Sequence, residues 1–274
     1  MILLVHSNLD IAGKNIAQHI LQQYPFTKTS QTFQENPVYQ AQINGNQVTY
    51  ITLNEEAVTA QNLPESFPNA ELVVFVSRHN SQSGTPTLSV HTPGNLDKAE
   101  LGGLPRSVSV SPANFMAEAL KTLSRLKNEK NLNYQVTYEC THHGPSLQVP
   151  AVFVELGSSE TQWNEQTAAA VVAQAAMDAT ANFGCSKRPA VLGIGGTHYN
   201  QKFTNMALAG EAVFGHMIPK YAIPQLDTEI LLQCKTRTYE PVESAVLDWK
   251  GIKSEDKPKL LAKLAQTGLP IKKV

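Results

Sequence analysis

The chain has 274 residues, 42% of them hydrophobic and 16% charged, with a formal net charge of −1 at pH 7. A chain of this length buries most of its surface in a real core, and its near-neutral balance excludes a uniformly basic nucleic-acid binder. Cys140, Cys185 and Cys234 are odd in number and show no Cys-x-x-Cys spacing, which excludes a cysteine-rich zinc module and fits a reducing compartment.

Met1 to His6 reads as a buried strand. Its run Met1-Ile-Leu-Leu-Val5 is too short for a secretion signal and lacks a basic lead. No apolar run approaches bilayer-spanning length, so a cytoplasmic protein without a membrane partner is expected. Asp10 is placed to cap a helix to about Gln23, with Ile11, Ile16, Ile20 and Leu21 on its apolar side. Residues 28–53 are β-rich, with Asn44-Gly45 turning Val38–Ile43 into Gln47–Leu53. The unbroken run Leu72-Val-Val-Phe-Val76 predicts a central strand covered on both faces, ending in Ser77-Arg78-His79.

Residues 80–112 are rich in Ser, Gly, Pro and Thr and hold one short strand, Thr87 to His91. A polar segment of that length inside a compact domain is usually functional or mobile. Ser111-Pro112 offers a cap and a first-turn proline for a helix to about Asn128. Tyr134 to Tyr138 is a strand running into His142-His143, and Gly144-Pro145 breaks it, which lets both imidazoles face one site. Ala151 to Glu155 is another buried strand, closing in Leu-Gly-Ser-Ser. An alanine-rich helix spans 164–182, and Pro189 to Ile194 is a strand ending in Gly195-Gly196-Thr197-His198-Tyr199. Residues 203–235 read mostly helical, interrupted at Gly215 to Pro219. A β-like segment from Glu243 to Trp249 precedes a helix over 254–266, closed by Gly268 and Pro270.

Strands alternating with helices predict an α/β fold, a mainly parallel or mixed sheet flanked by helices on both faces in three layers. No linker or repeat interrupts it, so residues 1–274 are read as one domain with a basic C-terminal segment, 250–274. That segment carries Lys250, Lys253, Lys257, Lys259, Lys263, Lys272 and Lys273 against only Glu255 and Asp256. It suits phosphates, and equally a solvated helix face.

Chemically able groups recur where strands end: His79, the His142/His143 pair, Glu155 and His198, with His91 and His216 as additions. Open α/β sheets bind ligands at the carboxyl ends of their strands. Neutral imidazoles with a carboxylate suit zinc and an activated water. A metal-free histidine base oriented by Glu139 or Glu155 is the alternative. His-Glu-x-x-His and Gly-x-Ser-x-Gly are both absent, which removes the corresponding metalloprotease and serine-hydrolase arrangements. Gly193-Ile-Gly195-Gly196 lacks the dinucleotide spacing, and its bare backbone can instead approach a ligand or an anion.

Several phrases taken together resemble the archaeal and plant-type D-aminoacyl-tRNA deacylase family. They are Ser77-Arg-His-Asn-Ser-Gln-Ser-Gly84, Thr87-Leu-Ser-Val-His91, Glu139-Cys-Thr-His-His-Gly-Pro145 and Glu155-Leu-Gly-Ser-Ser-Glu160 with Trp163. They continue in Gly193-Ile-Gly-Gly-Thr-His-Tyr199, Gly215-His-Met-Ile-Pro-Lys-Tyr221 and Asp248-Trp-Lys-Gly251. The match runs in order along nearly the whole chain. Thr197 and Cys140 stand where the family pattern leads one to expect glycine and alanine.

The resemblance implies hydrolysis of the ester joining a D-amino acid to the terminal ribose of tRNA, on a fold similar to peptidyl-tRNA hydrolase and the nucleoside phosphorylases. It also implies zinc dependence, with up to two ions per subunit, D-aminoacyl-tRNA as partner, and a monomer. On these motifs His142, His143, Glu139 and His79 are the expected catalytic residues. His142, His143, His198 and Glu155 are the expected metal ligands. Arg78, Ser81, Gly195, Gly196, Tyr199, Lys220 and Lys250 are the expected substrate contacts, with Trp163 and Tyr199 as stacking platforms for the terminal adenine. A peptidyl-tRNA or other ester or amide hydrolase on the same fold, or a tRNA-binding module without catalysis, are the competing readings.

Overall fold

The run of β-branched and aromatic residues at Leu72–Asn80 forms the strand around which the larger sheet is built. A computed structural model describes residues 1–274. In chain order the strands are β1 (Ile2–Ser7), β2 (Thr27–Phe33), β3 (Asn36–Ile43), β4 (Asn46–Leu53), β5 (Leu72–Asn80), β6 (Thr87–His91), β7 (Gly94–Asn95) and β8 (Ser107–Val108). They continue as β9 (Gln135–Tyr138), β10 (Ala151–Ser158), β11 (Ala190–Ile194), β12 (Phe214–Ile218), β13 (Val242–Leu247) and β14 (Ile271–Lys273). The helices are α1 (Ile11–Gln23), α2 (Leu63–Ser66), α3 (Ala113–Glu129), α4 (Glu160–Trp163), α5 (Gln166–Ala181), α6 (Gln201–Leu208), α7 (Thr228–Thr236) and α8 (Lys257–Ala265). No helix is long and apolar enough to cross a membrane.

The expected α/β architecture is present as two main sheets. Eight strands pair in the order β2-β3-β4-β1-β5-β10-β6-β9, and four in the order β12-β11-β13-β14. The first sheet is mixed: β4, β1, β5 and β10 run parallel, while β6 lies antiparallel to β10. All pairings in the second are parallel. On one face of the large sheet Val74, Val76, Val154 and Leu156 pack with apolar residues of α1, α3 and α5. On the other, Leu3, Val5, Phe75 and Phe153 pack with Ala57, Leu63 and Leu147. Burial on both faces is what the unbroken apolar run demands.

Residues 203–235 are mostly helical as expected, with α6 and α7 on either side of strand β12, which occupies the expected interruption. One local reading changes. Ser111 does not cap α3. The carboxylate of Glu240 accepts from the backbone N–H groups of Ala113 and Asn114, at 2.9 and 3.0 Å, and takes that role from 126–127 residues away. Several lysines of the basic end have partners within the chain. Lys257 and Lys273 lie 4.5 and 3.9 Å from the Trp249 ring, and Lys263 bonds the Leu226 carbonyl.

Candidate active site

Alternation along paired strands puts the polar residues in one place. On β5 the side chains of Phe75, Ser77 and His79 share a face, and on β10 so do Phe153, Glu155 and Gly157. Glu155 therefore sits within its strand rather than at its end, because Leu-Gly-Ser continues the pairing, Gly157 opposite His79 and Ser158 opposite Asn80. β6 delivers His91 opposite Phe153, its ring stacked on that phenyl at 5.2 Å and 4°. Glu139 follows β9, and the turn after β11 brings His198 and Tyr199 over from the second sheet.

Neighbouring histidines face the same way because His143 itself adopts a left-handed backbone, φ 41°. A non-glycine residue held there is an uncommon conformation that tends to occur at functional sites. The rings of His142 and His143 lie 4.3 Å apart, and His142 is 4.4 Å from His198 and 4.3 Å from His91. His142, His143 and His198 border an open cavity of about 510 Å³.

Glu139 is the hub. Its carboxylate is fully buried and takes His198 Nε2 at 3.1 Å and His79 Nδ1 at 3.2 Å, with His142 Nε2 at 3.6 Å. Glu155 lies 3.6 Å from both His79 Nδ1 and His91 Nε2, and accepts a hydrogen bond from Ser77 Oγ at 2.7 Å. Burial opposes the charge on both carboxylates, but the surrounding imidazoles win: Glu139 is held well below the usual range and Glu155 at about 2. Burial likewise opposes charge on His79, and the two carboxylates override it, to about 11. His79 is thus an imidazolium, with Nε2 donating to the Tyr199 hydroxyl at 2.9 Å.

His142 and His143 are the opposite case. Burial and neighbouring histidines push His142 well below the ordinary histidine value and His143 to about 4, so both are neutral. Their Nδ1–H groups donate to the carbonyls of Cys140 and Gly144 at 2.8 and 2.7 Å, which fixes the tautomer and leaves Nε2 with a lone pair. That lone pair on His142 faces a carboxylate oxygen of Glu139, an arrangement that calls for a cation between them. Glu139, His142 and His198 offer ligand atoms within 4.8 Å of one another, as do His91, His142 and His143, and His79, Glu139 and Glu155.

Other expected residues have different surroundings. The Arg78 guanidinium pairs with Glu56 at 2.8 Å and donates to the Leu9 carbonyl at 2.9 Å. Ser81 approaches Ser83, Oγ to Oγ 3.1 Å. A Cβ on Gly196 would lie 2.8 Å from Asn200 Nδ2, and one on Gly195 2.9 Å from Ile252 Cγ1, so each glycine backbone packs closely against a neighbour. Trp163 donates its ring N–H to the His79 carbonyl at 2.9 Å. Lys220 and Lys250 border a neighbouring cavity. His216, offered as an addition, lies behind the site, bonded to Thr141 Oγ1 and the Arg237 carbonyl. His91 joins the cluster, and its position at the end of β6 was the available signal. Tyr221, with its hydroxyl 3.2 Å from His198 Nδ1, is assigned no role by the sequence, although it closes the motif Gly215 to Tyr221.

Gly157 lies directly beneath His79. An added Cβ there would be 2.6 Å from His79 Cβ and 2.7 Å from its Cδ2. Gly157→Ala is expected to cost about 1–3 kcal/mol through overpacking, lowering the melting temperature by about 2–4 °C per kcal/mol. A melt superimposable on that of the native protein would show that His79 can move aside freely.

The D-aminoacyl-tRNA deacylase family model matches residues 66–272. A D-aminoacyl-tRNA deacylase of Thermococcus kodakarensis is 36% identical over 269 residues, covering 96% of each chain, and one of Pyrococcus abyssi is 35% identical over 272 residues, covering 97% of each. A crystal structure of a conserved protein of unknown function superposes with a TM-score of 0.88 at 29% identity, covering 100% of this chain and 95% of that one. With a family match over most of its length and full-length relatives above 30% identity, this chain belongs to the D-aminoacyl-tRNA deacylase family.

Proposed function

We propose that the protein hydrolyses the ester between a D-amino acid and the 3′-terminal ribose of tRNA, with water rather than a side chain as nucleophile. The observation that carries this reading is the pair of neutral, tautomer-fixed imidazoles, His142 and His143, set against the ionised Glu139. No covalent nucleophile competes: Cys140 is buried, its thiol faces the Thr197 carbonyl at 3.6 Å, and burial holds it protonated. Membership of the family supports the reaction, and the chemistry of the donor set supports the water.

The site fits a zinc ion. His91 Nε2 is buried without a hydrogen bond, Glu139 Oε1 has only the His79 Nδ1 contact at 3.2 Å, and neutral nitrogens with a carboxylate are the donors zinc prefers. Glu139, His142 and His198 are the residues that would hold it, since their ligand atoms lie within 4.8 Å of one another and His142 and His198 border the open cavity. A bound zinc would lower the pKa of its water to about 7 and polarise the ester carbonyl. The protein's own contribution is orientation: Glu139 fixes His198, and the Cys140 and Gly144 carbonyls aim the Nε2 atoms of the pair. His143 takes a proton from the attacking water and returns it to the departing ribose oxygen. Lys220 and Lys250, with the exposed lysines of the C-terminal segment, hold tRNA phosphates.

Metal analysis with a deacylation assay on D- and L-charged tRNA tests this. Dialysis against chelator is expected to abolish release of D-tyrosine and added zinc to restore it, with L-charged tRNA spared throughout. Full activity after the metal has been stripped would move the reaction to a metal-free histidine base. Turnover of N-blocked aminoacyl-tRNA in preference to D-aminoacyl-tRNA would make this a peptidyl-tRNA hydrolase.

A further inference from the structure

A second cavity, of about 440 Å³, adjoins the hydrolytic one, and Tyr221 lines both. Lys220, Lys250 and Lys253 face it, against the single carboxylate of Asp256. The ammonium groups of Lys220 and Lys250 make no ion pair or hydrogen bond, and Lys253 has only an exposed Glu255 at 3.7 Å. Nearby cations are already engaged: Lys202 is paired with Asp248, Lys257 and Lys273 lie over Trp249, and Lys235 bonds the Thr267 carbonyl. Three lysines with little compensation therefore gather at this cavity.

Its position relative to the reacting centre is fixed by backbone. The Lys220 N–H donates to the Gly196 carbonyl at 2.9 Å, in the same turn that carries His198. Gly251 N–H bonds the Asp248 carbonyl at 3.0 Å, and Asp248 N–H bonds Ile194, the last residue of β11. Between the cavities stands Tyr221, a large aromatic side chain left 61% exposed while its hydroxyl meets His198. An unpaired nucleoside stacks on such a ring.

We propose that this cavity is the subsite for the phosphodiester on the 5′ side of the terminal nucleoside of tRNA, and that Tyr221 sets the distance between that phosphate and the ester; this rests on the function proposed above. A terminal nucleotide carries its aminoacyl ester on one edge of the ribose and its phosphate on the other. A site that reads the end of tRNA needs cations one sugar away from the hydrolytic groups. Lys220, Lys250 and Lys253 line the adjoining cavity, and Tyr221, which borders both cavities, meets His198.

Two short substrates test it: D-tyrosine esterified to the 3′ oxygen of adenosine, and the same ester bearing a 5′-phosphate. For the native protein at low salt the phosphorylated ester is expected to have kcat/KM higher by about tenfold or more, as a charge-assisted contact gives. The preference should shrink as salt rises. Replacing Lys220, Lys250 and Lys253 together by alanine should bring the ratio to about one, and replacing them by arginine should restore it. Equal turnover of the two esters by the native protein, or an undiminished preference in the alanine variant, overturns the proposal. If neither short ester reacts, KM for D-tyrosyl-tRNA is the readout: an increase of about tenfold in the alanine variant supports the subsite and an unchanged KM overturns it. A native protein that fails to deacylate D-tyrosyl-tRNA at all would instead overturn the function on which the subsite rests. Thermal melts of both triple variants, and the arginine variant's full charge, separate loss of the subsite from loss of the fold.

Discussion

Glu139→Gln is expected to slow deacylation of D-aminoacyl-tRNA by about 10²–10⁴-fold, the range seen when a positioned acid–base array is disabled. The substitution keeps the side chain's volume and removes its charge. His198 and His79 both direct N–H groups at this carboxylate, at 3.1 and 3.2 Å, and an amide nitrogen there would meet donors with a donor. His79 would keep Glu155 as its only carboxylate, 3.6 Å away. Removing one member of a buried charged set also costs about 3–5 kcal/mol in stability. The melting temperature should then fall by about 2–4 °C for each kcal/mol. Rate and melt must be measured together, with activity read well below the variant's melting temperature. A folded Glu139→Gln protein with native kcat would remove Glu139 from the centre of the site and make it a structural acid.

His142→Ala has the second large effect. Release of D-tyrosine from charged tRNA should drop by about 10³-fold or more, as a general base or metal ligand requires, while tRNA binding persists. The separation follows from geometry. His142 lies on the floor of the hydrolytic cavity, whereas the free lysines line the neighbouring one. Its neutral Nε2 is the atom that points to Glu139, at 3.6 Å. Filter binding or anisotropy with uncharged tRNA measures the second arm. Native activity in this variant would take the His142-His143 turn out of the chemistry, and loss of tRNA binding would give it a structural role.

Much of this site could be read from residue order. His79, the His142/His143 pair, Glu155 and His198 each follow or lie in an apolar strand. β5 and β10 run parallel, β9 runs with β6 antiparallel to β10, and β11 belongs to the second sheet, so only part of the convergence follows from strand direction. The structure joins all of them together with His91, one of the two additions offered, and leaves His216 outside. Roles were less legible than membership. Tyr199 and Trp163 look like stacking platforms as bare aromatics, yet their polar atoms bond His79, at 2.9 Å in each case. Arg78 is among the expected substrate contacts, and its guanidinium is paired with Glu56. A side chain's partner across 22 or 120 positions leaves no trace in its neighbours along the chain.

The sequence by itself determined the strand and helix order, the α/β class, the family and the histidine-bearing segments, because these follow from local periodicity, turn chemistry and short motifs. The division into two sheets, the strand at Gly215 to Ile218, the capping of α3 by Glu240 and the left-handed backbone at His143 were decided by tertiary structure. So were the charges: burial opposes charge on His79 and two carboxylates override it, while burial and neighbouring histidines hold His142 and His143 neutral although Glu139 lies 3.6 Å from His142. Pairing and protonation both depend on which groups meet through space, and that is set only when the strands are in register.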